Sequence, residues 1–406
     1  MYDLIIIGGG AAGLWAAGTA ARRGKHVLVL EKNKKAGVKI LMSGGTRCNI
    51  THDCDVKGIL DAFTDQGRFL RPALHTLKPT DVVAEFHSLG VLTKVEASGK
   101  VFPVSDRALD VRDALVRRLA SAGARMQCGV AVESFVSTGD HWEARTGEET
   151  IECKKVLLCS GGLSYPGCGT TGDGYAWSRN AGHVITETYP ALTPLVSPAS
   201  WAHELSGLTL PDIVAQVVVD GKRSKDRRSQ YRGGYLWTHF GCSGPVPMNV
   251  SKCVSELDNA ARAELHLDLL PDFPEASVEE TLLKLGGRQV SSFLAEQLPR
   301  RMVQRIFAAA STDPAITGAN LPKKARQQII ENTKRMRLPM AGTKGYAKAE
   351  VTSGGVDVKD VNPKTMESRV ASGLYFAGEV LNVDGPIGGF NFQAAFSTGH
   401  LAALNV

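Results

Sequence analysis

The sequence predicts an α/β protein built on a Rossmann-like nucleotide-binding fold, on three observations. A short run rich in branched apolar residues, Asp3–Ile7, leads directly into Gly8-Gly9-Gly10-Ala11-Ala12-Gly13. A small-residue stretch then reaches Arg23-Gly24, the pattern of a tightly packed helix. His26–Leu30 is a second apolar run, closed by the acid Glu31. Together these make one βαβ unit, whose strands read as buried parallel strands because the apolar residues are continuous rather than alternating.

Composition sets the outer limits. The chain has 406 residues, 43% hydrophobic and 22% charged, which excludes a disordered chain and a disulfide-stapled miniprotein. Glycine is in excess, 43 residues in clusters without period, against a usual share of about 7%. The net charge is +6, from 47 basic and 41 acidic residues, which suits anionic ligands without by itself indicating nucleic acid. No apolar run approaches the roughly 20 residues of a membrane span, and the N-terminus lacks the features of a signal peptide. The eight cysteines form no C-x-x-C pair, so neither a zinc site nor a redox dithiol is expected, and a cytoplasmic location is.

Further elements follow in order. Helices are expected over Thr80–Leu89 and Asp110–Gly123, with a short strand at Val101–Pro103 between them. Short strands are expected within Arg125–Phe135, His141–Arg145 and Thr150–Cys153, and a buried one at Val156–Cys159. Prolines 190, 194 and 198 mark a change of texture, after which Ile213–Val219 and Tyr235–His239 read as strands. Residues 275–335 are helical and amphipathic; Ala349–Thr352 and Leu374–Ala377 return to strand character before a final helix from Asn391. The expected organisation is a nucleotide-binding domain at 1–189 and 339–406, interrupted by a β-rich domain at 190–274 and a helical one at 275–338.

The glycine clusters carry the chemistry. In Gly8-x-Gly10-x-x-Gly13, the first glycine permits the turn, the second lets the backbone approach a pyrophosphate, and the third lets helix and strand pack closely. The helix start, with Ala11 and Ala12, then offers free N–H groups to the phosphates. Glu31 is placed to accept from the adenosine ribose. A second literal match, Gly167-x-Gly169-x-x-Gly172, begins seven residues after its strand and follows Tyr165-Pro166, so a separate NAD domain is not expected. Ser43-Gly44-Gly45-Thr46-Arg47-Cys48-Asn49 permits close backbone approach, with Lys39 and Arg47 supplying charge for phosphate; an exposed glycine hairpin is the alternative. Ser160-Gly161 follows a buried strand, where ligands lodge in such sheets. Asp173 reads equally as a ligand contact or a helix cap. Gly378-Glu379 offers a carboxylate for a polyol hydroxyl, and Gly388-Gly389-Phe390-Asn391 opens the last helix, whose N-terminus suits the electron-rich edge of a flavin.

These segments, with Thr238–Pro245, Thr352–Gly355 and Gly373–Gly399, resemble nearly end to end the bacterial BaiN/YhiN-type FAD-dependent oxidoreductases, a family that includes enzymes described as aminoacetone oxidases. The resemblance implies a Rossmann-like FAD-binding domain of glutathione-reductase-like topology, with an inserted β-barrel-like domain and a small helical domain. It implies non-covalent FAD held by Gly8, Gly10, Gly13, Glu31, Lys32, the 43–49 loop, Gly378-Glu379 and the 388–391 turn, with the Ala131 backbone meeting adenine. Thr46 departs from the pattern, standing where a third glycine is common.

The implied reaction is hydride transfer through flavin N5 to or from a small organic substrate, with NAD(P)H as transient reductant of an unsaturated compound; an oxygen-dependent amine oxidase and a non-turnover flavoprotein are the alternatives. Candidate proton donors are Cys48, Tyr165, His239 and Lys344, His239 foremost for its neutral-range chemistry. A histidine in an apolar strand is also a common structural residue, and Cys48 equally suits packing. The basic stretch Lys222–Arg228 reads as a solvated hairpin tip, with an RNA-facing patch as the rival. The partner expected is a small molecule, with no membrane and no nucleic acid.

Overall fold

The computed structural model describes all 406 residues, which form two compact units, residues 1–190 with 350–406, and residues 191–349. The first unit opens with β1 (Tyr2–Ile7), α1 (Ala11–Arg22) and β2 (Val27–Glu31). Leu4, Ile5 and Ile6 are wholly buried, as a strand covered on both faces requires. Helix α2 (Ala108–Ser121) leads to β3 (Arg125–Cys128), the β4 (Val132–Ser137)–β5 (Trp142–Thr146) hairpin, and β6 (Thr150–Leu158).

The second unit is built on an antiparallel sheet containing β7 (Thr209–Val219), β8 (Lys222–Arg223), β9 (Gln230–Thr238), β10 (Gly241–Ser243) and β11 (Ala263–Asp268). The β-rich and helical stretches, expected as two domains, share one hydrophobic core. Val278, Leu282, Ile306 and Ile329 of the helices cluster with Leu265 and Leu267 of β11. Gly342–Thr343 pairs with Leu195–Val196, so residues 339–349 belong to this unit rather than to the nucleotide-binding part.

The chain then returns as β12 (Val351–Val356), β13 (Leu374–Phe376) and α3 (Phe390–Asn405). In the first unit's main sheet the order is β3-β2-β1-β6-β5-β4, with β13 beside β6. Strands β3, β2, β1, β6 and β13 run parallel where they pair, so their carboxyl ends share one edge. Residues 8–13, 31–33, 159–162 and 377–379 all follow from those ends. In open α/β sheets this is the edge where ligands bind.

Candidate functional site

The turn after β1 is held by backbone against backbone. A Cβ on Gly8, whose φ is +108°, would lie 2.4 Å from the Cys159 carbonyl oxygen, and one on Gly13 only 2.0 Å from the Gly8 carbonyl. Any side chain at either place would push strand and helix apart. Gly10 is different: no protein atom lies within 4 Å of where its Cβ would stand. It caps α1 without a side-chain hydrogen bond, and the first turn holds no acid. The leading N–H groups of Ala11, Ala12 and Gly13 therefore meet open space at the positive end of the helix dipole, the arrangement that takes a phosphate.

Glu31, at the end of β2, is 7% exposed. Its Oε2 accepts from Gly9 N–H at 2.8 Å, and its Oε1 accepts from the N–H and the amide of Asn33, both at 2.8 Å. A carboxylate has about four acceptor positions, so one remains for a ribose hydroxyl. Asn33, which also donates to the Cys168 carbonyl at 3.0 Å, is a site residue that the sequence reading passed over; its position two residues beyond the acid is the signal. Val130 N–H donates to the Glu31 carbonyl at 3.0 Å, which brings the exposed Ala131 beside this strand end. Lys32 turns to Thr171 (2.5 Å) and Asp173 (2.6 Å). Asp173 is thus this lysine's ion-pair partner and makes no cap bond to its own helix.

The 43–49 loop is wound left-handed. Gly44, Gly45, Thr46 and Cys48 have φ of 56°, 67°, 69° and 62°. For β-branched Thr46 that conformation is an outlier, where glycine would sit freely. Ser43 donates to the Ile40 carbonyl and its own carbonyl accepts from Cys48 N–H, at 2.7 and 3.1 Å. Arg47, expected to face phosphate, lies over the Phe102 ring at 4.0 Å, bonded to Glu96 at 2.7 Å with Asp106 at 3.6 Å. Both carboxylates come from residues close to Phe102 in the chain. Cys48 is fully buried, and burial pushes its thiol up to about 12, so it stays protonated and serves as packing. With the Asn49 amide oriented to satisfy both ends, its nitrogen donates to Thr51 and Val101 carbonyls and its oxygen accepts from Gly389 N–H at 2.9 Å. This residue ties the loop to the start of α3.

Lys39, the other expected phosphate cation, donates to Glu379 at 2.5 Å and Ser164 at 2.6 Å. Glu379 also accepts from Ser164 Oγ at 2.6 Å and Thr352 N–H at 2.9 Å. The carboxylate expected to meet a polyol is therefore the hub of a network joining four segments of the first unit. Gly378 N–H donates to Thr398 Oγ1 at 3.0 Å. Ser160 and Gly161 follow β6 directly, and a Cβ on Gly174 would meet Ser160 Oγ at 2.1 Å. At the α3 start, Gly388 and Gly389 have positive φ, Phe390 stacks on His52 with centroids 4.7 Å apart, and the Asn391 amide clamps both backbone groups of Gly385 (2.8 and 2.9 Å). The side chains of 390 and 391 shape the turn. Asp384, 4% exposed and accepting from Ser353 Oγ at 2.9 Å, is a buried carboxylate beside this turn to which the sequence reading gave no role.

The candidate proton donors fall into two groups. Cys48 and half-buried Tyr165, the latter at a φ of 55°, are in the first unit. His239 and Lys344 are in the second. His239 is not inside a strand as expected: β9 ends at Thr238 and β10 pairs Gly241 back onto it, leaving His239-Phe240 as a two-residue turn with His239 exposed and Phe240 half-buried. Lys344 Nζ sits 4.2 Å over the Phe240 ring and the His239 ring packs edge-on to it, centroids 5.0 Å apart, so the structure brings these two candidates to one phenyl group. The 167–172 glycines form a short 3-10 turn at Pro166–Cys168 before the helix at Asp173–Asn180, unlike a second strand-turn-helix unit.

Residues 2–405 match the model of the HI0933-like protein Rossmann domain. The chain belongs to this family. Over its full length it is 31% identical to a ribosomal RNA dihydrouridine synthase of Escherichia coli, covering 98% of that protein. It is 30% identical to a 3-dehydro-bile acid delta(4,6)-reductase of Clostridium scindens, with 99% of this chain and 98% of that one aligned. Its fold also matches a 3-ketosteroid delta1-dehydrogenase of Sterolibacterium denitrificans, with a TM-score of 0.53 at 14% identity over 99% of this chain and 98% of that one. The fold class expected from the sequence, a Rossmann-type FAD-binding domain, is the one found, and the chain is an FAD-dependent oxidoreductase. The open space at Gly10, the uncapped start of α1 and the spare acceptor on Glu31 fit the adenosine diphosphate half of FAD. No helix is long and apolar enough to cross a membrane.

Proposed function

We propose that this flavoprotein reduces a carbon–carbon double bond conjugated to a carbonyl, with NAD(P)H as the source of electrons. The observation that carries this reading is the full-length likeness to two reductive enzymes with unlike substrates. Forming dihydrouridine and reducing a delta(4,6) bile acid both add hydrogen across a conjugated double bond. What they share is the bond, not the molecule around it.

Bound FAD supplies the hydride at its N5 position. The chain's own residues do the rest. The α1 start and Glu31 hold the adenosine diphosphate end, with Asn33 and Gly9 fixing the carboxylate in place. The N-terminus of α3 would offer positive potential to the electron-rich edge of a bound flavin. Cys48, buried and held protonated, packs the loop.

Anaerobic stopped-flow bleaching of the flavin tests the reading. Rapid bleaching by NADPH or NADH, followed by reoxidation on adding a conjugated enone or a uridine-containing substrate, is expected. Bleaching only by a small amine, with oxygen as the sole oxidant, would overturn the proposal in favour of an amine oxidase.

A further inference from the structure

The charge of this protein is unevenly shared. Residues 1–190 and 350–406 carry 26 basic and 26 acidic side chains, so the whole excess of +6 belongs to residues 191–349, with 21 against 15. Its densest concentration is the segment 220–228, where five basic residues face two acids.

The structure explains why the basic charge there stays outward. Asp220 and Gly221 make the turn between β7 and β8, and the Asp220 carboxylate is held by Arg262 at 2.5 Å. Asp226 turns inward, accepting from Arg228 N–H at 2.7 Å. Both acids of the segment are thus occupied, while Lys222, Arg223, Lys225 and Arg227 project as exposed side chains. The loop that carries them is built rather than loose. Buried Ser229 donates to the Ser224 and Asp226 carbonyls at 3.1 and 2.6 Å, and Gln216 of β7 donates to Ser229 Oγ at 3.1 Å. Ser229 and Ser224 also exchange backbone bonds with Val217 at 2.8 and 3.1 Å.

We infer that this stapled hairpin is an RNA-binding surface, with Lys222, Arg223, Lys225 and Arg227 meeting backbone phosphates. Four cations fixed on one short loop match a polyanion, whose affinity comes mainly from phosphate contacts. Residues 220–230 include no apolar side chain, so the segment has nothing to insert into a bilayer, as a membrane-binding face would. The inference goes beyond the proposed reduction and does not depend on it.

The test is filter binding of the full FAD-loaded chain to an unmodified transfer-RNA transcript and to total ribosomal RNA, as a function of salt. The wild type should bind both with a steep salt dependence. The fourfold variant K222A/R223A/K225A/R227A should lose at least tenfold in affinity. Its slope of log affinity against log salt should be shallower by about 3, since each lost phosphate contact removes roughly 0.7–0.9. The charge-conserving variant K222R/R223K/K225R/R227K should bind like the wild type. Thermal unfolding and flavin bleaching by NAD(P)H should be unchanged in both variants. Failure of the wild type to bind RNA, equal binding by the fourfold variant, or tighter binding to phosphatidylserine vesicles than to RNA would each overturn the inference. A protein that bleaches with NAD(P)H yet ignores RNA loses only this surface; one that binds RNA through the hairpin but never bleaches loses only the reductase reading.

Discussion

The two units of this chain put function into different parts of the polypeptide. The first holds 32 of the 43 glycines and is electrically neutral; the second holds 11 and carries the entire net charge. In the first, recognition depends on how near one backbone comes to another and to a ligand, as at Gly8, Gly10 and Gly13. In the second the charge is carried by side chains held outward from a rigid sheet, as in the Lys222–Arg228 hairpin. A glycine substitution in the turn after β1 should therefore change FAD binding, while one at an open position of ordinary φ in the second unit should be nearly silent.

The largest effect should come from Gly13→Val. Its side chain would overlap the Gly8 carbonyl, 2.0 Å from the Cβ position, and visible flavin should be absent after gel filtration. Gly287→Ala in the second unit, with nothing within 4 Å and an unremarkable φ, should shift neither stability nor flavin content. Retained flavin in the first variant, or its loss in the second, would break the contrast.

A pH effect should follow from the core behind the glycine turn. His400 lies against Thr19 of α1 at 3.2 Å. Burial, then Arg118, pushes its imidazole from 6.5 down to about 4, while Glu85 and Asp81 oppose the shift. The neutral ring fits the fold and the charged one does not. Its stability is therefore complete above pH 6.5 and is lost as pH falls toward 4, up to ~3 kcal/mol at 1.36 kcal/mol per unit. Urea unfolding of His400→Gln should show a flatter pH dependence than the wild type across that window; identical slopes would mean the ring is not held neutral.

The smallest effect concerns the 43–49 loop. Thr46→Gly relieves a strained φ of 69°, and the gain of about 1–3 kcal/mol from lost strain is largely offset by the entropy of glycine in the unfolded chain. A net rise of no more than ~1 kcal/mol is expected in denaturant unfolding, with FAD affinity unchanged or slightly tighter.

What the sequence revealed follows the same division. The β1–α1–β2 unit was legible because a fully buried strand is a continuous apolar run and its turn can be made only of glycine. Strand β6 was read as two pieces, 150–153 and 156–159, because its two halves live differently. The first pairs with β5 and alternates exposed and buried residues; the second is buried between β1 and β13. No single period describes both. The helix at Pro245–Ser255 was hidden by Pro245 and Pro247, which a first helical turn tolerates because its N–H groups need no partner. The partners of Arg47 lie 49 and 59 residues onward in the chain, and those of Lys39 and Glu379 are 125 residues or more away from Lys39. Local spacing contains no trace of such pairings, so the sequence alone does not show which protein groups these side chains engage.

Gly10→Ala gives the most direct measurement of the central claim, that the turn after β1 exists to hold FAD. Nothing in the protein touches the added methyl, and the glycine's φ of −82° suits any residue. Thermal unfolding without FAD should match the wild type. Equilibrium titration should give one FAD per wild-type chain and at least a tenfold weaker affinity for the variant, about 1.4 kcal/mol. Equal affinities, or a wild-type protein that takes up no FAD, would contradict the account.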